Sequence, residues 1–329
     1  MLADVTGRPK GGRLPPHWRE YLIHAVFVGI FVLLATTLHD KGFLSAFNLM
    51  TIARQTAMIA IMAVGMTFVL SAAEIDLSFA AVVGLAAIIS ALVLRHTGSM
   101  ALASGAALAA GALIGAVNGF FVTRVGIPSF LVTLGTMGIV TGAARWISNL
   151  QSIPVTDEGF VFVFGGGDIG PVPVLFLWTL GVAVAGALVL NRTTFGQEVV
   201  ATGGNKISAL HSGIQVGRIK LQVLVLNGVL AALAGLLYAG RLQGARYTLG
   251  ENDLMIVIAA VIIGGTSLFG GKGTVVGSVL GALVMGMVSN GLILAGLSVD
   301  QHMILRGVII IAAVTLTMGT ILKTKKIRR

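Results

Sequence analysis

Two carboxylates stand two residues apart in AAEIDLSFAAV, residues 72–82, with the apolar run MIAIMAVGMTFVLS before it and VGLAAIISALVL after it. A lipid-facing helix tolerates neither Glu74 nor Asp76, because ionisable groups at membrane depth face a polar cavity or one another. Two kinds of chemistry suit such a pair. Both acids can line a solute or ion route, where carboxylates accept hydrogen bonds or hold a coupling ion. Alternatively, the chain leaves its helix here and a carboxylate caps the next one, close to the positive helix end. Asp76 precedes LSFAAV as an N-cap would, whereas Glu74 is open to either role. The grouping returns as ENDL at 251–254, where Asp253 is placed to cap an eighth, short apolar run.

Other chemistries lack their residues. The chain has no cysteine, so disulfides and thiolates are excluded. Six scattered histidines form no H-E-x-x-H pair, and no G-x-S-x-G elbow occurs. The stretch GGTSLFGGKGT, 264–274, resembles a phosphate loop only superficially. Walker A requires G-x-x-x-x-G-K-[S/T], but Thr266 stands at the first glycine and Gly273 follows Lys272. No catalytic residue, metal site or cofactor is expected in this chain, and any ATP hydrolysis must come from another.

The elements that position these residues are membrane helices. The 329 residues are 56% hydrophobic and 10% charged, with mean hydropathy +0.97. Soluble domains carry about a quarter charged residues. We predict an all-α polytopic membrane protein with ten spans near 21–38, 51–71, 77–94, 100–122, 129–148, 173–190, 220–240, 253–265, 274–296 and 303–322. The eighth is too short for a simple crossing and is expected to be broken. Residues 1–19 read as a basic cytoplasmic segment before a retained first helix, and 323–329 as a basic cytoplasmic tail. With ten spans, fifteen of the 22 basic residues and five of the twelve acids fall inside. The cytoplasmic face is then +10 and the outer face near neutral, as the excess of lysine and arginine in cytoplasmic loops demands. That excess also accounts for the net charge of +10 without nucleic acid.

An internal repeat is legible. EIDL at 74–77 matches ENDL at 251–254, and GALIGAVNGF at 111–120 matches GALVMGMVSNGL at 281–292, which aligns Asn118-Gly119 with Asn290-Gly291. Two five-helix halves follow, 20–172 and 173–322. An odd number of spans per half inverts the second copy in the membrane, an architecture common among transporters. Gly111, Gly115 and Gly119 share one helical face, as do Gly273, Gly277 and Gly281, and small residues four apart let backbones approach. Neutral polar groups within the spans, Gln55, Asn118, Asn227, Asn290 and Ser289, are candidates with Glu74 and Asp76 for a solute pathway.

The cytoplasmic loop 191–219 is amphipathic rather than merely polar. ISALHSGI is predicted to form a short helix ended by Gly213, with Gly203-Gly204-Asn205 as the turn before it. Here the chain resembles the sugar-type permease subunits of bacterial ATP-binding-cassette importers, the family of the ribose, xylose and galactose permeases. That family carries T-x-x-G-R…A-x-G-G-N…A-x-x-S-G-I at this place. The matching residues are Thr193, Gly196, Ala201, Gly203, Gly204, Asn205, Ala209, Ser212, Gly213 and Ile214. The family's G-G-I-D-L-S motif is matched by Ile75, Asp76, Leu77 and Ser78, and IGGTSLFGGKGTVVGSVLGA at 263–282 resembles a third block. Two positions depart: Ala73-Glu74 replaces Gly-Gly, and Gln197 replaces arginine.

The resemblance implies a permease with no enzymatic activity of its own, in the bacterial inner membrane with both termini cytoplasmic. It implies a second permease chain (a copy or a relative), ATPase subunits that hold the ATP and magnesium, and a periplasmic solute-binding protein. Residues 196–214 would then transmit force, with Gly196, Gln197, Glu198, Gly203, Gly204, Asn205, Leu210, Gly213 and Ile214 at the ATPase contact. Arg241 and Arg246, in GRLQGARYTLGEND, are candidates for docking acidic groups of the binding protein or for anchoring at the membrane interface. The solute could be a pentose, hexose, polyol or furanose-like molecule. An ion-coupled secondary transporter is the alternative. It would use a coupling carboxylate and leave the 191–219 loop without purpose.

Overall fold

The computed structural model describes residues 18–298 together with 300–305, 307, 308, 311 and 315. Most of the basic N-terminal segment 1–19, the tail 323–329 and most of the tenth predicted span lie outside the described residues. In chain order come α1 (Trp18–Thr37), α2 (Ala46–Ser71), α3 (Phe79–Thr97), α4 (Met100–Phe120), α5 (Ser129–Ser148), β1 (Ile153–Pro154) and α6 (Glu158–Val161). There follow β2 (Asp168–Ile169), β3 (Val172–Pro173), α7 (Val174–Arg192), α8 (Thr194–Gly204), α9 (Lys206–His211), α10 (Val216–Leu242), β4 (Gly244–Ala245), α11 (Asp253–Ile263) and α12 (Val275–Leu294). Among the described residues, seven helices are long and apolar enough to cross a bilayer: α2, α3, α4 with its extension to Val125, α5, α7, α10 and α12. The eleven residues of α11 are too few for a simple crossing.

Local chemistry sets the ends. Ser45, Ser99 and Thr274 cap α2, α4 and α12 by accepting the amides of Asn48, Leu102 and Gly277. Asn149 takes a left-handed φ of 51° and closes α5. The small strands clip connections together. β1 pairs antiparallel with β4, Ile153 opposite Ala245, and β2 with β3, Asp168 opposite Pro173.

Burial runs opposite to a soluble protein in one respect. α2, α3 and α10 are mostly buried, whereas α4, α5 and α7 expose apolar side chains such as Leu113, Ile139, Trp146 and Leu188 over most of their length. Such a belt suits lipid, which leaves the hydrophobic effect little role in holding helices together. Close backbone approach does that instead. α10 is the central element, packed against α2, α3 and α4.

Gly111, Gly115 and Gly119 of α4 all face it. A Cβ on Gly115 would lie 2.7 Å from the Cα of Val225, and one on Gly119 2.9 Å from the Cα of Leu221. Gly277 and Gly281 of α12 likewise meet Gly264 and Ala260 at α11. The third member of that predicted face differs. Gly273 lies ahead of α12, against the Ser71 side chain, because Thr274 caps the helix and puts Gly273 in the preceding loop.

Gly115→Leu should cost roughly 1–3 kcal/mol of overpacking. It should lower the detergent unfolding temperature, read by size-exclusion after heating. Gly138→Leu, where no atom lies within 4 Å of the added Cβ, should leave that temperature unchanged.

Candidate functional site

Residues 72–78 leave helical geometry between α2 and α3, yet Glu74, Asp76 and Ser78 are buried. Non-helical backbone at membrane depth survives only where protein satisfies it. Here Ala73 and Glu74 donate back to Leu70 and Val69 of α2. The amide of Ile75 donates to Ser129 Oγ (3.1 Å), and Thr133 Oγ1 donates to the Ile75 carbonyl (3.3 Å), so the first turn of α5 pins the segment.

Asp76 is not itself the cap of α3: Ser78 holds that position, and Asp76 lies three residues before the helix starts at Phe79. Its Oδ1 accepts from the Ser78 amide (2.8 Å) and hydroxyl (2.7 Å), closing the turn that leads into the helix. Its Oδ2 accepts from Asn227 Nδ2 on α10 (2.8 Å). Asn118 on α4 donates to Ser78 Oγ (2.8 Å) and accepts from Thr136 on α5 (2.7 Å). A chain of five side chains, Thr136, Asn118, Ser78, Asp76 and Asn227, therefore ties α5, α4, the break and α10. Glu74 forms an ion pair with Lys220 in the second turn of α10, with both side chains largely buried.

The second carboxylate pair repeats the arrangement at the other end of α10. Asp253, the first residue of α11, accepts from Tyr238 Oη (2.7 Å), and Glu251 lies 3.7 Å from Arg145. In each quartet the aspartate is held by α10, while the glutamate meets Lys220 of α10 in the first and Arg145 of α5 in the second.

The loop after α7 forms two helices rather than one. Thr193 caps α8 by accepting the Gly196 amide (3.2 Å). Gly203 and Gly204 finish α8 instead of forming a turn. Asn205 is the break, and it caps α9 through Ile207 N (3.0 Å) and Ser208 N (3.1 Å). At Gly203 the backbone of neighbouring segments leaves no room for a side chain, whereas a Cβ on Gly204 would meet only the Gly271 Cα at 3.6 Å. A Cβ on Gly203 would collide with the Ser71 carbonyl and come within 2.8 Å of Gly271 N, while the Gly271 amide donates to that same Ser71 carbonyl (3.0 Å). Gly270 in turn faces Ala73 and Gly203, and Gly196 faces the last carbonyls of α7. Gly213 ends α9 in the left-handed region as predicted, with Ile214 N bonded to Ala209 O.

Three separate sequence blocks, 72–78, 193–214 and 263–274, thus meet at one junction. Gly196 and Gly203 pack inward within the chain. Gln197, Gly204, Asn205, Leu210 and Gly213 are exposed, Glu198 and Ile214 half-buried. Sequence reading missed Ile207, 68% exposed beside Leu210, although its place in the α9 pattern could have revealed it. It also missed Lys220 as the partner of Glu74.

The pathway candidates separate into two groups. Glu74, Asp76, Asn118, Asn227 and Asn290 are buried. Asn290 exchanges hydrogen bonds with Asn48 (3.1 and 2.9 Å), joining α12 to α2. Gln55 and Ser289 instead line a cavity of about 420 Å³ at the far end of α10 from α8 and α9, together with Arg241. Arg246 is exposed and lines a separate cleft of about 320 Å³ beside β4. Among the described residues no group of three metal-ligating side chains occurs.

The departures from the Gly-Gly pattern have local readings. Ala73 holds φ 59°, a left-handed conformation costing a non-glycine residue about 1 kcal/mol. Glu74 brings a charge that Lys220 answers.

A family model described as branched-chain amino acid transport system / permease component matches residues 48–314. The chain is 38% identical over 291 residues to the ribose import permease protein of Escherichia coli, covering 87% of this chain and 89% of that one. It is 36% identical over 318 residues to the ribose import permease protein of Haemophilus influenzae, covering 95% and 97%. With the L-arabinose transport system permease protein of Escherichia coli it shares 34% over 313 residues, 94% of each chain. No solved structure matches it.

Removing one member of a buried ion pair is costly because the other charge is stranded. Glu74→Gln or Lys220→Met alone should lose roughly 3–5 kcal/mol, and the double variant should recover most of it. A double-mutant cycle on unfolding temperature checks this, and additive losses would sink the pairing. Ala73→Gly should instead stabilise by about 1 kcal/mol in the same assay, through relief of the left-handed strain.

Proposed function

The chain belongs to this family of transport-system permease components, and we propose that it is the membrane-spanning permease subunit of an ATP-binding-cassette importer for a sugar or sugar-like solute. The observation that carries this reading is its near full-length match to permeases named for ribose and L-arabinose. A solute would arrive from a periplasmic binding protein, and ATPase subunits holding ATP and magnesium would supply the drive.

The junction suits that drive. α8 and α9 carry an exposed apolar pair, Ile207 and Leu210, among Gln197, Lys206 and His211, as a surface for the ATPase. Their inner face is glycine against the backbone of Ser71 and Gly271. A push on α9 passed to α8 therefore reaches the end of α2 and the entry to α12 through backbone contacts of Gly203. Glu74 and Asp76 hold that junction to α10, so their role is transmission of movement rather than contact with solute.

The finer architecture follows the same reading. Ten spans form two inverted five-helix halves, supported by the two carboxylate quartets gripping opposite ends of α10. The side bearing α8 and α9 is cytoplasmic, with both termini there and the inner membrane as location. A second permease chain, identical or related, completes the complex. Arg246 is the better candidate for meeting the binding protein, because Arg241 turns into a cavity. The ion-coupled alternative loses ground because Glu74 and Asp76 are both committed to internal partners.

Replacing Ile207 and Leu210 together by aspartate should reduce co-purified ATPase at least tenfold in mild detergent while the permease elutes unchanged. Full ATPase recovery would move the docking surface elsewhere. A wild-type chain that elutes alone and moves sugar on an ion gradient would overturn the importer reading itself.

A further inference from the structure

We propose that the cavity at the far end of α10 is a binding site for one neutral monosaccharide or polyol, built within a single permease chain. This rests on the importer reading and assigns the solute class and its residues. The volume, about 420 Å³, falls in the range of small-molecule sites.

Its polar groups converge from four elements and the segment after α12: Gln55 of α2, Tyr238 and Arg241 of α10, Asn252 and Asp253 at the start of α11, Ser289 of α12, and His302. Each is suited to hydroxyls. A sugar hydroxyl both donates and accepts, and the amides of Gln55 and Asn252 do the same in a fixed plane. Arg241 only donates. Asp253 only accepts, and its Oδ2 is oriented by Tyr238 Oη at 2.7 Å. Ile59, Ile256 and Ile293 supply apolar walls for the C–H faces of a ring.

The charges argue against an organic ion. Among the cavity's seven polar lining residues, the Arg241 guanidinium and the Asp253 carboxylate balance, and the other four besides the His302 imidazole carry no charge. The other nearby cation, Arg54, is paired with Asp168 at 2.6 Å, which offsets its charge. An amino-acid zwitterion could meet Arg241 and Asp253. It would bury the remaining neutral groups unpaired, which costs about 1–3 kcal/mol for each.

The absence of cysteine makes the test direct. Ser289→Cys would be the single thiol in the chain, placed on the cavity wall by a conservative change. The variant is assembled with its ATPase in lipid nanodiscs and labelled with a hydrophilic maleimide. Labelling is repeated with D-ribose, L-arabinose, D-xylose, D-galactose or ribitol, and with L-leucine. At least one sugar or polyol should slow labelling threefold or more, and L-leucine should not. The protection should vanish when Gln55→Leu is added. A labelling rate indifferent to every sugar and polyol, protection by L-leucine alone, or a thiol that never reacts would overturn the proposal. ATPase co-elution is scored in the same sample. Its loss counts against the importer reading, while the labelling still reports on the cavity.

Discussion

Hydrocarbon offers no partner to an unpaired amide, and the segment 72–78 leaves helical geometry inside a membrane domain. The rest of the structure is arranged around satisfying that segment. Ser129 and Thr133 reach it from α5, Asn118 from α4, and Asn227 and Lys220 from α10. Asp76 is the hinge pin of the arrangement, since one oxygen closes the turn into α3 and the other holds α10. Ordinary helix packing would place α3 only loosely. The carboxylate fixes both where it begins and which helix it lies against.

Glycine does the complementary work. Side chains bind the break to its neighbours by hydrogen bonds, but α4 reaches α10, and α12 reaches α11, by removing side chains altogether. The same device recurs where α8 meets the loop before α12. The result is a rigid inner frame of α2, α3 and α10 with peripheral helices whose outward faces are apolar and unconstrained. Movement delivered at α9 has few compliant side chains in which to dissipate.

The sequence was readable where a local rule governs. Ser129–Ser148 matched its predicted span because Pro128 precedes it and Asn149 closes it. The α4 glycine face was legible from spacing alone, and the short α11 was expected from its length. Contacts distant along the chain were not legible. Asp76 and Asn227 are 151 residues apart, and nothing in the local pattern of either announces the other. Lys220 stood at the very start of its predicted span, and nothing local showed that its ammonium turns inward to Glu74. Gly203-Gly204 read as a turn because isolated glycine pairs usually are; the backbones of Ser71 and Gly271, which leave Gly203 no room for a side chain, lie far away in sequence. Arg241 read as a surface cation for the same reason, that its charge was visible and the cavity was not.

The pairing of 74–76 with 220–227 has a consequence for anyone recombining such permeases. A crossover placed between α3 and α10 would bring Glu74 from one parent and position 220 from another. If the incoming residue is not a base, the hybrid inherits a stranded charge that neither parent carries. Exchange blocks should therefore follow the bonds rather than the loops: the break after α2 and the first half of α10 form one heritable module, despite the seven helices of sequence between them.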